Sequence, residues 1–315
     1  MDAAPLIPLD QLPATFDWRN VMGVSYLVPS WNQHIPTYCG SCYVHGTLAA
    51  VQDRIKIWKG ARAPDIMLGR QTFLNCGPAH GFGSGCGGGS PEDVFGFMHD
   101  IGLPDETCNN YVAQEADECS SAAMCMNCMV MEDGRKDCWP VPRYTRYYVS
   151  GWGKLDPEGG AHAIMSEVYS RGPVTCGFIS ENGFDYGYDG GVNTSPANGT
   201  MEDINHDIEI TGWGVTEDGV EFWQVRNSWG TYWGEEGFFK IQRGSNLAFI
   251  ESECYFALPD THEEDLLSGG ILTGSHFGLV DKSPMAARQS LQFARQLDAL
   301  DWTLFQRPPV LQTAE

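Results

Sequence analysis

The cysteines restrict the fold of this chain more than any other feature. Eleven cysteines occur in 315 residues, and seven of them lie in the glycine-rich stretch 76–138. An odd number indicates disulfides together with one free thiol, and disulfides form in oxidising compartments. Glycine-rich sequence favours loops over long helices or strands. We therefore expect residues 76–138 to be loop-rich and held by disulfides, with one cysteine left for chemistry.

Composition and charge exclude several classes of function. The chain carries 41 acidic against 19 basic residues, a net charge of −22. This excess repels phosphate backbones and anionic lipids, so we expect neither nucleic acid nor a membrane surface as a partner. No apolar run approaches the roughly 18 to 20 residues that a membrane helix needs. The 42% of hydrophobic residues supports one large or two ordinary domains.

The two ends of the chain differ from its middle. Residues 1–11 have neither a basic region nor a long apolar run, so we expect no signal peptide in this sequence. Because the cysteines indicate an oxidising compartment, we expect the sequence to be truncated or to start inside a longer precursor. Residues 257–315 contain no cysteine and one amphipathic helical candidate at 283–305. Two sequons make Asn193 and Asn198 glycosylation candidates.

Hydrophobic spacing predicts a helical first half and a β-rich second half. After Cys42, apolar residues recur every three or four positions up to Trp58, which predicts a helix buried on one face. Strand-like patterns follow residue 141, at 173–179, 208–213, 220–226 and 237–242. Asp207 and Glu209 share one face of such a strand. We expect that face to be exposed, because burying two like charges is costly.

The segment from Cys39 to Tyr43, with the sequence Cys-Gly-Ser-Cys-Tyr, is the most informative in the chain. One interpretation is a redox pair formed by Cys39 and Cys42. A free Cys39 would indicate this pair. The other is a nucleophile, Cys42, at a helix N-terminus that favours the thiolate, with Cys39 in a disulfide. The second is favoured, because an aromatic after Cys-Gly-Ser-Cys is typical of papain-type proteases and no strand precedes the motif.

A cysteine nucleophile needs a base and a group that orients the base. His206 stands at the head of a predicted strand that ends in Gly-Trp-Gly, and Asn227 precedes Ser-Trp-Gly. The imidazole can take the thiol proton, and the amide oxygen of Asn227 can accept the other ring N–H. The order Cys, His, Asn along the chain is the papain arrangement.

With these motifs the chain resembles the papain family of cysteine proteases over about residues 12–256. Within the family it is similar to the cathepsin X (cathepsin Z) subfamily of carboxypeptidases. Four features carry this finer resemblance: residues 12–21, the His-Ile-Pro insertion at 34–36 between Gln33 and the cysteine motif, residues 104–111, and the layout of the cysteines. Tyr43 stands where the family more often has Trp, and we expect it to be buried.

The resemblance implies a role for each matching residue. Cys42 is the nucleophile, His206 the base and acid, and Asn227 the orienting residue. Gln33 contributes to the oxyanion hole together with the Cys42 backbone N–H. The substrate-binding residues implied are Trp229, which shields the His–Asn contact, Gly88 and Gly89 on the non-primed side, and His34 on the primed side.

His34 carries the prediction of specificity. In the resembled subfamily the inserted loop fills the primed side of the cleft, and its His binds the C-terminal carboxylate of the substrate. A cationic imidazole and a carboxylate form a charge-assisted hydrogen bond. The implied activity is removal of single C-terminal residues with broad side-chain tolerance, and the implied partners are peptides or proteins with a free C-terminus.

The resemblance also implies a pairing for the other ten cysteines. The pairs are Cys39–Cys86, Cys76–Cys119, Cys108–Cys125, Cys128–Cys138 and Cys176–Cys254. A rival interpretation takes Cys119, Cys125, Cys128 and Cys138 as zinc ligands. We expect disulfides, and therefore neither a metal nor another cofactor.

The predicted fold is α+β, a papain-like two-domain fold with the cleft between a helical left domain and an antiparallel β-barrel right domain. The expected parts are 1–11 as a lead-in or propeptide remnant, 12–140 as the mainly left domain, 141–256 as the mainly right domain, and 257–315 as a C-terminal extension of unknown role. We expect a monomer in a lysosome-like or vacuolar lumen, or secreted. Alternative functions are a papain-like endopeptidase and a catalytically silent binding protein.

Overall fold

Residues 1–260 are described by the computed structural model, and they form helices mainly before residue 125 and strands mainly after it. The helices are α1 (Cys42–Trp58), α2 (Arg70–Cys76), α3 (Pro91–Asp100), α4 (Ser121–Met124), α5 (Gly160–Arg171) and α6 (Asn182–Gly187). The strands are β1 (Phe16–Asp17), β2 (Met126–Val130), β3 (Lys136–Pro140), β4 (Val149–Lys154), β5 (Val174–Phe178), β6 (Val192–Asn193), β7 (His206–Val215), β8 (Glu221–Arg226), β9 (Phe238–Gln242) and β10 (Cys254–Pro259).

Eight strands form one sheet in the order β4-β10-β5-β7-β8-β9-β6, with β1 added beside β7. All pairs are antiparallel except β6 with β9. A hairpin joins β7 to β8 through the turn at 217–219. The predicted α+β class is confirmed, and in the described part of the chain the predicted β domain is a mainly antiparallel sheet that does not close into a barrel. Within residues 1–260 the outer strands β4 and β6 do not pair with each other, so the sheet stays open.

Two apolar cores lie on the two sides of the molecule. One contains the inner side chains of the sheet, together with Phe16 and Trp18 from the N-terminal segment. The other is built around α1, α2 and α3. Strand β10 serves both, because Cys254 and Phe256 face the sheet core while Tyr255 and Ala257 face the helical core, as the two-residue period of a strand requires.

Helix α1 lies between these cores and is buried on all sides, so the expectation of one buried face is wrong. Its apolar side chains Val44, Leu48, Val51 and Ile55 enter the helical core. Its polar side faces the sheet, where Arg54 donates to Glu167 and to three backbone carbonyls. Gly46 permits a close approach, because a Cβ there would lie 3.1 Å from the Asp207 carbonyl oxygen.

The expectation that Asp207 and Glu209 lie on an exposed strand face is wrong. Glu209 is fully buried, and Asp207 is partly buried. The Glu209 carboxylate accepts a hydrogen bond of 2.6 Å from Arg226 Nε on the neighbouring strand. The same guanidinium pairs with Asp53 of α1. The counterion permits the burial, since an unpaired buried charge is strongly unfavourable.

Five disulfides join the ten cysteines in the pairs implied by the resemblance. Cys42 is the free cysteine. Cys39 is bonded to Cys86, so it is not the free cysteine that would indicate a redox pair with Cys42. The four cysteines of the zinc interpretation are likewise bonded, to one another or to Cys76 and Cys108. The disulfide-rich stretch consists of loops and short elements, as expected, and β2 and β3 form a separate hairpin.

Helix α5 was not predicted, because the strand-like patterns that follow it indicate a β-rich second half. Its buried residues Ile164, Met165 and Val168 do follow a helical spacing. The predicted C-terminal extension, including the helical candidate at 283–305, lies outside the described residues apart from its first four positions. Among residues 1–260, no helix combines the length and the apolar character that a membrane span requires.

Candidate active site

A cleft with a volume of about 900 Å³ runs between the helical side and the sheet side. Seven of the eight predicted catalytic and substrate-binding residues line it: Gln33, His34, Cys42, Gly88, Gly89, His206 and Trp229. The eighth, Asn227, lies behind His206. Cys42 opens helix α1 on one wall. His206 opens strand β7 on the other wall.

His206 is held by an amide behind it and an indole beside it. Its Nε2–H donates to Asn227 Oδ1 at 2.8 Å. Because an amide oxygen only accepts, this contact leaves Nδ1 as the basic nitrogen of a neutral ring. Trp229 stacks on the imidazole with the ring centroids 4.8 Å apart. Both His206 and Asn227 are buried, so this contact is shielded from water.

Burial shifts the pKa values of the two reacting groups in opposite directions. Burial raises the pKa of the Cys42 thiol, against the effect of backbone N–H groups of Asp207, Tyr43 and Cys42 itself. Burial lowers the pKa of His206, against the effect of Asn227 and of two carboxylates. Either charge alone is therefore disfavoured here. A thiolate and an imidazolium formed together neutralise each other, so the site favours proton transfer within the pair.

Gln33 is fixed on three sides. Its backbone N–H donates to the Ser228 carbonyl at 2.8 Å, and its side-chain Oε1 accepts from Ser228 Oγ at 2.6 Å. Its Nε2 donates one hydrogen to the Cys39 carbonyl at 3.0 Å. The second hydrogen on Nε2 stays available to an oxyanion in the cleft.

Tyr43 shapes the wall that carries Gly88 and Gly89. The ring is fully buried, as expected. Its hydroxyl donates to the Gly85 carbonyl at 2.9 Å. Gly89 lies so close to this ring that a Cβ would come within 2.6 Å of it. Gly88 has φ +107°, a conformation that side chains disfavour. Both positions thus need glycine, and their backbone stays open to the cleft.

His34 also lines the cleft, where it lies among aromatic rings. It stacks on Tyr38, with centroids 4.8 Å apart, and faces Trp229 at 6.4 Å. Within residues 1–260 neither ring nitrogen has a hydrogen-bond partner, and Nδ1 is buried. Burial lowers the pKa of His34, as does the nearby His206. An anionic ligand would reverse both effects by supplying a counter-charge.

Asp207 lines the cleft next to the nucleophile and the base. Burial raises its pKa well above the usual value, and Cys42 and Glu253 raise it further. In turn, Asp207 raises the pKa of His206. Among residues 1–260 no group of three or more His, Cys, Asp or Glu side chains is arranged to hold a metal ion.

Sequence reasoning missed four residues of the site. Ser228 joins Asn227 to Gln33, since its N–H donates to Asn227 Oδ1 at 2.8 Å while its hydroxyl binds Gln33. Ser41, His45 and Tyr111 lie beneath the cleft. His45 had a signal: it follows Cys42 by three positions on the predicted helix and lies off the apolar stripe.

A free cysteine at a helix N-terminus, facing an imidazole held by an amide across a two-sided cleft, is the arrangement of a cysteine peptidase. Comparison with known proteins agrees: the model of the papain family cysteine protease matches residues 12–258. The chain belongs to this family and is a cysteine peptidase, a hydrolase.

Relatives and solved structures extend the comparison. The chain is 39% identical over 258 residues to a cathepsin Z of Onchocerca volvulus, covering 79% of each protein. It is 31% identical over 254 residues to a cathepsin C of Schistosoma mansoni, covering 76% of this chain and half of that protein.

Two of the similar solved structures are a mite allergen, from a study of Blo t 1 and Der p 1, and the bromelain protease of Ananas comosus in complex with the E64 inhibitor. The allergen structure has a TM-score of 0.65 at 26% identity and covers 81% of this chain and 75% of its own. The bromelain structure has a TM-score of 0.61 at 25% identity and covers 78% and 99%.

Proposed function

We propose that this peptidase is a carboxypeptidase that releases single C-terminal residues with broad side-chain tolerance. The observation that carries the proposal is His34, an imidazole that lines the cleft, stacks on Tyr38 and has no hydrogen-bond partner at Nδ1 among residues 1–260. A protonated His34 binds the substrate carboxylate there. The similarity to a cathepsin Z over 79% of the chain supports the proposal.

In the proposed mechanism, His206 Nδ1 takes the proton of Cys42, and the thiolate attacks the carbonyl carbon of the last peptide bond. The oxyanion that forms accepts hydrogen bonds from Gln33 Nε2 and the Cys42 backbone N–H. The imidazolium of His206 then protonates the leaving amine, and the C-terminal amino acid departs from a thioester. A water molecule, deprotonated by His206, hydrolyses the thioester and restores the thiol and the neutral ring.

Asn227 holds the imidazole in the orientation that each proton transfer requires. Glycines 88 and 89 leave the non-primed wall free of side chains, which suits backbone recognition and broad tolerance. The five disulfides and the net charge of −22 support an oxidising, acidic compartment such as a lysosome-like or vacuolar lumen, or secretion.

The test compares two peptides of the same sequence, one ending in a free carboxylate and one amidated, at about pH 5 under reducing conditions. We expect release of the last residue from the free acid alone, and His34→Ala to abolish this preference. Cys42→Ala should remove all turnover. Equal turnover of both peptides would indicate an endopeptidase with an open cleft, and no turnover with a reactive thiol would indicate a binding protein.

A further inference from the structure

Beneath the cleft lies a second imidazole, His45, which the mechanism does not use. It sits one turn after Cys42 on α1, and only 2% of it is exposed. Its Nδ1 lies 2.9 Å from the Ser41 carbonyl oxygen and 3.2 Å from Ser41 Oγ. A carbonyl oxygen only accepts, so Nδ1 carries the proton and Nε2 is a bare acceptor.

The Nδ1 side of His45 leads to Gln33. Tyr111 donates its hydroxyl hydrogen to the Gln33 carbonyl at 2.7 Å, so its oxygen accepts from Ser41 Oγ at 2.9 Å. The Ser41 hydroxyl oxygen is a second, longer acceptor for the His45 Nδ1–H, which it shares with the Ser41 carbonyl oxygen. The Tyr111 ring also meets the His45 ring edge to face, with centroids 4.9 Å apart. A continuous chain of hydrogen bonds therefore connects His45 with the backbone of the oxyanion residue.

The Nε2 side of His45 leads toward Asn227. His45 and Asn227 line one cavity together with Arg70 and Trp31. The cavity has a volume of about 10 Å³, about the space that the centre of one water molecule needs. Four buried polar atoms of these residues have no partner within residues 1–260: His45 Nε2, Asn227 Nδ2, Arg70 Nε and Trp31 Nε1. A water molecule in this cavity can donate to His45 Nε2 and accept from two of the three donors, Asn227 Nδ2 among them.

The charges around His45 keep the ring neutral. Arg70 faces it from α2, His34 from the inserted loop and His206 from β7, and all three lower its pKa in addition to burial. A neutral ring leaves Nε2 unprotonated and available as a hydrogen-bond acceptor. The role of His45 is thus to accept and to position, and it transfers no proton.

We propose that His45 is a positioning residue that binds one buried water and, through it, Asn227. The water donates to His45 Nε2 and accepts from Asn227 Nδ2–H. The bond fixes the amide from behind, so that Oδ1 stays directed at His206 Nε2. Through Ser41 and Tyr111 the same imidazole also steadies Gln33. This inference rests on the proposed catalytic roles of Asn227 and Gln33.

The first test is a crystal structure of the wild-type protein. A water oxygen within hydrogen-bond distance of both His45 Nε2 and Asn227 Nδ2 is expected. A dry cavity would overturn the proposal, whatever the activity of the enzyme, so its failure is distinct from a failure of the carboxypeptidase assignment.

The second test compares variants of the full chain by kcat, KM and the pH profile of Cys42 alkylation by iodoacetamide. His45→Phe keeps an aromatic ring but removes both the Nε2 acceptor and the Nδ1–H donor to Ser41. We expect kcat to fall by up to about 10²-fold with KM unchanged, and the alkaline limb of the alkylation profile to move to lower pH. A loosened Asn227 stabilises the imidazolium less, which explains the shift. His45→Gln offers an amide oxygen near the Nε2 position. This variant should restore most of kcat and most of the wild-type position of the alkaline limb.

Two further variants distinguish the connection of His45 to Gln33 from its connection to Asn227. Tyr111→Phe breaks only the branch to Gln33, so kcat should fall without a shift of the alkaline limb. Thr47→Val removes another buried hydroxyl that has no partner within residues 1–260, on the same helix but outside the cavity, and should change neither quantity. If His45→Phe lowers thermal stability but leaves kcat and the pH profile as in wild type, the residue is structural and the proposal is wrong.

Discussion

Asp207 places a carboxyl group next to the catalytic base, His206. It follows His206 directly and lies beside Cys42 in the cleft. Its carboxylate raises the pKa of His206, although burial outweighs this effect. The residue therefore acts on the pH range of the thiolate–imidazolium pair rather than on the bond-breaking steps themselves.

Replacing Asp207 by Asn should move the alkaline limb of kcat/KM to lower pH. The imidazolium loses a nearby negative charge, so it releases its proton at lower pH. The measurement is kcat/KM against pH between 4 and 8 with one free-acid peptide. Asp137→Asn, on an exposed strand, is the matched control and should leave the profile unchanged. An unchanged limb in the Asp207 variant would show that this carboxyl stays neutral throughout that range.

Residues of the site differ in how far the sequence alone can predict them. Cys42, His206 and Asn227 stand in short motifs, so their gathering in one cleft could be expected from local sequence. Glu209 could not be placed correctly, because its burial depends on Arg226, 17 positions away, and on Asp53 of another element. Tyr111 and Ser228 act through contacts with Gln33 that span 78 and 195 positions. No local pattern encodes such contacts.

At the scale of elements, the site depends on loops and strands held by buried side chains. The loop that carries Gly88 and Gly89 rests on Tyr43 of α1. The joint between α1 and strands β7 and β8 contains Arg226, Glu209 and Asp53. The first arrangement keeps one wall of the cleft open. The ion pairs of Arg226 fix the position of α1, which carries Cys42, relative to β7, which carries His206.

Gly89→Ala should raise KM and lower thermal stability. The added Cβ would lie 2.6 Å from the Tyr43 ring, which is buried against Phe73 and cannot retreat without losing its own contacts. Gly87→Ala is the control, since its Cβ would meet only the Ser84 Cβ at 3.4 Å, an ordinary contact. Equal KM values in the two variants would mean that the loop can shift without consequence for the substrate.

Arg226→Met should lower the free energy of unfolding by about 3–5 kcal/mol, because two buried carboxylates lose their shared counterion. Urea unfolding at pH 7 measures the change. The effect should be smaller at pH 5, where a proton can neutralise Asp53, whose pKa burial already raises. Arg135→Met breaks an exposed pair with Asp133 and should have little effect. A similar small effect for both would show that the buried network adds nothing to stability.

At the scale of the whole molecule, several buried carboxyl groups make the fold prefer acidic conditions. Burial raises the pKa values of Asp53, Glu106 and Asp207. A carboxyl group with a raised pKa in the folded state stabilises the fold below its unfolded pKa, and the contribution is lost as the pH rises through the folded value. Glu167 acts oppositely, since Arg54 and Arg171 outweigh its burial and lower its pKa.

Glu106 offers the sharpest test of this preference. Burial raises its pKa from 4.5 to about 7, against the opposing effect of Arg70. The free energy of unfolding should therefore decrease by up to about 3 kcal/mol as the pH rises from about 4.5 to above 7, because a tenfold change in proton affinity between the unfolded and folded states corresponds to about 1.4 kcal/mol. Glu106→Gln retains an acceptor for the Tyr111 N–H, which bonds Glu106 Oε1 at 2.7 Å in the wild type, but cannot titrate.

The measurement is urea unfolding of wild type and variant at intervals between pH 4 and 8. The variant should show a flatter dependence on pH than the wild type within that window, even if the loss of a negative charge near Arg70 lowers its stability at every pH. Glu217→Gln, in the exposed β7–β8 turn, serves as the control and should keep the wild-type slope. Parallel curves for wild type and Glu106→Gln would place the origin of the acid preference in Asp53 and Asp207, and the Asp207→Asn variant would then show the flattened slope instead.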